Sequence, residues 1–456
     1  MELARLAAFT IHAHPWGERI QRVLAAALDA ADPYRAVRRA IQRDQDRLIV
    51  EDRLYELDRF HHIYLIAIGK ASMRMAEAAG ELLGERLSEG IVVTKAGYAG
   101  RAPRMQVFTA GHPIPDRRSL LASDKILELL AKVQPQDLLL CLISGGASAL
   151  MTAPADGIEL HDLQQLTHLL LACGADITEI NTLRKHLDRL KGGNLARLAH
   201  PAQLLTLVLS DVIGDPLEVI ASGPTVPDPT TFRDALSVLE RHAILDQTPL
   251  AIRLHLERGR AGEIPETPKP GDAIFNRVHN LVIGNNSMAL QAALEQARRE
   301  GFETLLLTAS LQGEARLAGR WLAERARSSD IRRPACLAAG GETTVTLRGK
   351  GLGGRNQEVA LGAVVELAEV PSALLVTLAT DGGDGPTDAA GAAVSTDTFR
   401  RATALGMHPQ TYLENNDAYH FFAALGDLIK TGPTMTNVND LAFVFLFPPE
   451  MNAASG

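Results

Sequence analysis

Residues 63–83 read IYLIAIGKASMRMAEAAGELL. Six apolar residues run without a polar break, Gly69 and Lys70 make a corner, and apolar residues then recur at helical spacing. The same unit returns along the chain. DLLLCLISGGASALM (137–151) repeats it with a small-residue corner, and QLLTLVLSDVIGD (203–215) supplies a strand with an acidic corner. HNLVIGNNSMALQAALEQARREG (279–301) is a fourth unit, and ALLVTLATDGGDG (373–385) is a fifth strand with an acidic corner. Strands that are apolar throughout, alternating with helices, predict parallel sheets covered on both faces, an α/β fold. Such sheets take ligands at the carboxyl ends of their strands, so the corners are where chemistry is expected. The segment IPETPKPGD (264–272) has three prolines and mixed charge. It predicts a boundary between a first α/β domain over 1–263 and a second over 264–456.

The totals narrow the function. At 456 residues the chain has room for two or three cores. Its 46% apolar and 22% charged residues are ordinary for a soluble enzyme, and its net charge of -8 argues against nucleic acid as a partner. Cys141, Cys173 and Cys336 are widely spaced and odd in number, which argues against a disulfide framework and for a reducing cytoplasm. No apolar run reaches membrane-span length, and the first twenty residues do not read as a signal peptide.

Each corner admits a functional and a structural reading. Lys70 stands beside a helix N-terminus, where a cation is disfavoured unless an anion is shared with the helix. In SGGASA (144–149), Gly145 and Gly146 let a ligand approach the backbone, Ser144 and Ser148 offer hydroxyls, and a following helix would offer amides. Tight packing of a turn explains the same composition. The helix NTLRKHLDRLKGGNLARLA (181–199) carries Arg184, Lys185, Arg189 and Lys191, read mainly as a solvated face. Asp211 ends a strand and suits a general base or a magnesium ligand; Asp215, before Pro216, suits a helix cap. Asp381, Asp384 and Asp388 share one glycine-rich corner, which either shapes a turn or arranges oxygens around a hard cation.

The loop GKGLGG (349–354) fits G-x-G-x-x-G, with strand-like TTVTL (343–347) before it and Arg355 opening a helix. Its acidic partner is ambiguous, so the dinucleotide fingerprint is weak. No Walker A motif and no zinc spacing occur. Lysine, arginine, small-residue loops and acidic corners together suit phosphoryl transfer.

AIGKAS (67–72), LISGGASALM (142–151), LSDVIGDPLEVIASGPT (209–225), GGRNQE (353–358) and ATDGGDGPTDAAGA (379–392) resemble the class II glycerate kinases, whose C-terminal domain is of the MOFRL type. The resemblance covers nearly the whole chain. It implies ATP-dependent phosphorylation of D-glycerate at the 2-hydroxyl with a divalent cation, Mg2+. It also implies a Rossmann-like first domain, a second α/β domain and a site in the cleft between them. On its motifs the catalytic residues are Lys70, Asp211 and Arg355. Substrate and phosphate contacts are expected from Ser144, Gly145, Gly146, Ser148, Gly354 and Asn356, and metal ligation from Asp381 and Asp384. The expected partners are D-glycerate and ATP, with no nucleic acid or membrane and a homodimer left open. Members of this family are often labelled hydroxypyruvate reductases. The rival readings are therefore an NAD(P)-dependent hydroxypyruvate reductase using GKGLGG and a non-catalytic small-anion binding protein.

Overall fold

The computed structural model describes residues 3–98 and 100–448. The chain divides into two compact units, residues 33–283 and residues 1–32 together with 284–456.

The first unit opens with a small antiparallel meander of β1 (Gln42–Asp44), β2 (Arg47–Val50) and β3 (Arg53–Glu56). Its main sheet is built from β4 (Ile63–Ile68), β5 (Glu89–Lys95), β6 (Met105–Ala110), β7 (Leu138–Ser144), β8 (Gln203–Leu209) and β9 (Val278–Gly284). The spatial order is β6-β5-β4-β7-β8-β9. The β4/β5, β5/β6, β4/β7 and β7/β8 pairs are all parallel. Every residue of β4 and of β7 is buried, as expected for strands covered on both faces. The chain leaves β4 in one direction toward β6 and then returns to its other side with β7. The gap between β4 and β7 is thus the topological switch point, where sheets of this class open a ligand crevice. Register sets Ile68 beside Ile143 and Ser144 beside Leu209, so the corners after β4, β7 and β8 line one sheet edge.

The second unit holds β10 (Glu303–Leu311), β11 (Ala335–Gly341), β12 (Ala373–Ala379), β13 (Gly391–Ser395), β14 (Leu428–Ile429) and β15 (Asp440–Leu446), in the order β10-β11-β15-β12-β13-β14. Only β10/β11 is parallel; β15 runs antiparallel between β11 and β12, and β13 and β14 are antiparallel neighbours. The expectation of a parallel sheet holds for the first unit and fails here. Burial on both faces gives β12 and β15 an apolar sequence whichever way they run. TTVTL forms no strand, only an isolated bridge from Thr344 to Glu314.

The division also differs from a break at 263/264. Strand β9 completes the edge of the first sheet, so the proline-rich segment 264–272 lies inside that unit. Helix Gly17–Ala31 belongs with the second unit, where it packs on helix Asn286–Arg299. Arg22 clamps Glu300 there with two bonds, at 2.8 and 2.9 Å. Among the described residues no helix is long and apolar enough to cross a membrane.

Candidate active site

The corner after β4 is fastened to the corner after β7. The Lys70 amide donates to the Gly145 carbonyl at 2.9 Å, and the Ala71 amide donates to Ser144 Oγ at 3.0 Å. Gly69 sits at φ +128, and a Cβ there would collide with Ser144. Ser144 is buried, and its hydroxyl accepts the Ala71 bond at the junction. Helix Ser72–Leu83 then starts behind Lys70, as the periodicity predicts.

Gly145 and Gly146 earn their place by close approach. A Cβ on Gly145 would strike the Asp211 carboxylate, so this glycine lets Asp211 lie against the β7 corner. Gly146 has φ +85, and a Cβ there would stand 2.9 Å from the His112 ring and 3.4 Å from Lys70 Cε. Lys70, Gly145, Gly146, His112 and Asp211 therefore meet at the switch point. The helix that follows Gly146 is a single turn, Ala147–Leu150. Asp215 caps no α-helix either; it lies in a turn at φ +54.

Two lysine charges, Lys70 and Lys95, act on this edge beside the Asp211 carboxylate. Lys70 has no carboxylate within ion-pair distance among the described residues. Burial, followed by the charges of Lys70 and Lys95, pushes His112 down to about 4, so it is neutral at physiological pH. Sequence reasoning missed His112 and Lys95; His-Pro and Lys-Ala-Gly read as ordinary turns, and only the sheet brings them beside Lys70.

The basic helix Ile177–His186 and the turn after it are a second correction. Lys185 and Lys191 are buried. Lys185 Nζ lies 3.2 Å from Asp228, and Lys191 Nζ lies 2.5 Å from Asp188. Of the four cations read as a solvated face, only Arg189 is exposed.

In the second unit, GGRNQE is mostly helix wiring. Helix Arg355–Leu367 begins at Gly354. Asp384 is buried at its N-terminus and accepts four bonds: Asn356 N at 3.0 Å, Asn356 Nδ2 at 3.3 Å, Gln357 N at 2.8 Å and Gln357 Nε2 at 3.0 Å. A Cβ on Gly354 would collide with it. Glu358 is buried against Arg316, 2.6 Å away, and accepts from Asn416 at 3.1 Å. Asp384 is thus a helix cap with both oxygens occupied, a poor arrangement for a cation ligand, and Gly354 and Asn356 pack against it. The Asp381 carboxylate accepts from the Gly383 amide of its own turn at 3.1 Å, and its carbonyl accepts from the Thr434 amide at 3.2 Å. Asp388 pairs with Lys430 at 2.9 Å and Tyr419 at 2.8 Å. Among the described residues no three acidic, His or Cys side chains are grouped to hold a metal.

Arg355 is the member of GGRNQE that faces outward, half-buried between Glu342 and Asp440, whose Oδ2 lies 3.0 Å from Nε. Burial pushes Asp440 up to about 7, with Arg355 opposing. The first four amides of GKGLGG are already engaged. Arg348 and Gly349 donate to Asn416 Oδ1, Lys350 to Asn415 Oδ1, Gly351 to the Asn415 carbonyl and Leu352 to Asp417 Oδ1. A loop so occupied has few amides left to cradle a pyrophosphate.

Residues 19–257 match the family described as "Domain of unknown function (DUF4147)", and residues 335–440 match the MOFRL family. The chain is 43% identical to a glycerate 2-kinase of Pyrococcus horikoshii, covering 93% of this chain and 96% of that protein. The crystal structure of a glycerate kinase from Thermotoga maritima superposes with a TM-score of 0.84 at 39% identity, over 93% of this chain and 97% of that one. A relative from Agrobacterium vitis, named putative hydroxypyruvate reductase, is 39% identical over 94% of each chain.

Proposed function

Because the chain belongs to the DUF4147–MOFRL family of glycerate kinases, we propose that it transfers a phosphoryl group from ATP to the 2-hydroxyl of D-glycerate. The observation that carries this reading is the meeting of Lys70 and Asp211 around Gly145 and Gly146 at the switch point. The substrate's 2-oxygen attacks the γ-phosphorus, its proton passes to the Asp211 carboxylate, and the bond to the β,γ-bridging oxygen breaks to release ADP. Lys70, with no carboxylate of its own to neutralise it, stabilises the charge on the equatorial phosphoryl oxygens. Transfer of this kind needs positioning and electrostatic stabilisation more than covalent chemistry. Arg355, in the GGRNQE motif of the family, is proposed as a further catalytic cation. Magnesium is expected with the nucleotide, and Asp384, whose two oxygens already accept from helix amides, does not fit as its ligand.

The neutral His112 suits this chemistry, since a second charge beside Lys70 would be repelled. We place the enzyme in the cytoplasm, consistent with three cysteines that form no disulfide. The test is a coupled assay of ADP release with D-glycerate, run beside NADH loss with hydroxypyruvate. ADP release without NADH loss supports the kinase; the reverse would hand the site to the reductase, and neither activity would leave an anion-binding protein.

A further inference from the structure

We propose that Arg184 binds the carboxylate of the acid substrate, in a small cavity behind the β7 corner that it shares with Ser148. The inference rests on the kinase reading and names the group that makes the enzyme select an acid. The cavity has a volume of ≈ 40 Å³; Arg184, Asp188 and Lys191 give it charge, Ser148, Thr152 and Thr167 give it hydroxyls, and the rest of its wall is apolar.

Charge bookkeeping singles out Arg184. Lys191 and Asp188 neutralise each other at 2.5 Å, and Asp188 also accepts from the Ala153 amide at 3.0 Å and the Leu190 amide at 2.9 Å. Among the described residues no carbonyl or carboxylate hydrogen-bonds the Arg184 guanidinium. Burial holds its pKa below the ordinary arginine value, with only the Asp188 charge opposing. Two cations, Arg184 and Lys191, face one carboxylate, Asp188, which hydrogen-bonds Lys191; a substrate carboxylate held by the Arg184 guanidinium fork supplies the missing charge. The volume suits a group the size of a carboxylate or a few waters; a triphosphate is far too large.

The hydroxyl partner is also set in place. Ser148 Oγ lies 3.1 Å from Ser222 Oγ, and Ser222 donates to Asn181 Oδ1 at 3.0 Å. Asn181 and Arg184 stand three residues apart on one helix, hence on one face. Ala221 and Ser222 are both held at left-handed φ, +53 and +59. Two adjacent non-glycine residues in that region persist only where their surroundings hold them, and such strain concentrates at ligand sites.

Steady-state kinetics of Arg184→Met and Arg184→Lys test the assignment, with thermal melting as the control for folding. Arg184→Met is expected to raise the KM for D-glycerate roughly 100-fold, the scale on which one partner of a buried charge pair is lost. The KM for ATP should stay within about twofold, because the nucleotide does not enter this cavity. Arg184→Lys should recover part of the loss, and added guanidinium ion should partly rescue Arg184→Met. An unchanged KM for glycerate, or equal damage to both substrates without rescue, overturns the assignment. Should neither variant fold, phenylglyoxal labelling of the wild-type enzyme decides. Protection of Arg184 by D-glycerate but not by ATP supports it, and no protection overturns it. Failure of the wild-type enzyme to release ADP with D-glycerate would instead sink the kinase reading itself.

Discussion

Lys70 stands just before a twelve-residue helix with, among the described residues, no carboxylate at ion-pair distance, a position that is costly unless an anion arrives. Replacing it with alanine removes one preorganised electrostatic contact, expected to lower kcat about 100-fold or more while leaving the melting temperature nearly unchanged. Near-normal turnover would reduce Lys70 to a surface residue. Arg355→Lys keeps the charge but loses the planar fork, so kcat should fall well below wild type with smaller change in the KM for glycerate. Wild-type kcat in Arg355→Ala would return GGRNQE to a purely structural motif. His112 carries a pH signature. Its pKa falls from 6.5 in the unfolded chain to about 4 in the fold, so the unfolded state binds more protons between those values. Its contribution is intact above about pH 6.5 and is lost as pH falls through about 4. His112→Gln should therefore flatten the loss of melting temperature across that window, and an identical pH profile would count against a buried neutral imidazole.

At the scale of elements, the helix Arg355–Leu367 is organised by a carboxylate 27 and 28 residues away in sequence. Asp384→Asn keeps the shape but replaces one accepting oxygen by a donor that faces amides. It should cost roughly 1–3 kcal/mol of stability, as for a lost cap or an unsatisfied buried group. The concentration of magnesium giving half-maximal rate should not change. A large shift in that concentration with unchanged melting would revive the metal role for Asp384. The GKGLGG loop makes a complementary prediction. Its amides serve residues 415–417, so calorimetric titration with NADH or NADPH should give no heat of binding. A dissociation constant near micromolar, about 8 kcal/mol of affinity, would restore the reductase.

For the whole molecule, the two units predict where the chain can be cut. A fragment of residues 33–283 contains all six strands of the parallel sheet and its core, and should melt cooperatively by circular dichroism. A fragment of residues 1–263 lacks strand β9 and carries helix Gly17–Ala31 without the helix it packs on, exposing its apolar face. It is expected to aggregate or melt without a cooperative transition. The opposite ranking of the two fragments would restore a boundary at the proline-rich segment.

What the sequence determined by itself is local and periodic. Uninterrupted apolar runs followed by helical spacing specified β4, β7 and β8, and a buried parallel sheet has its ligand corners at the carboxyl ends, which is where Lys70, Gly145 and Asp211 stand. Tertiary structure decided the rest, because burial and charge state depend on distant partners. Lys185 is a core residue only because Asp228 comes to meet it, 43 positions away. Asp384 resembles a metal ligand in its glycine-rich corner until helix amides occupy both its oxygens. The apolar pattern of β12 and β15 records burial on two faces, and burial does not encode strand direction, which packing in the assembled sheet sets. Arg184 and Lys191 look alike in a basic run; Asp188 pairs directly with Lys191, and among the described residues no carboxylate hydrogen-bonds Arg184.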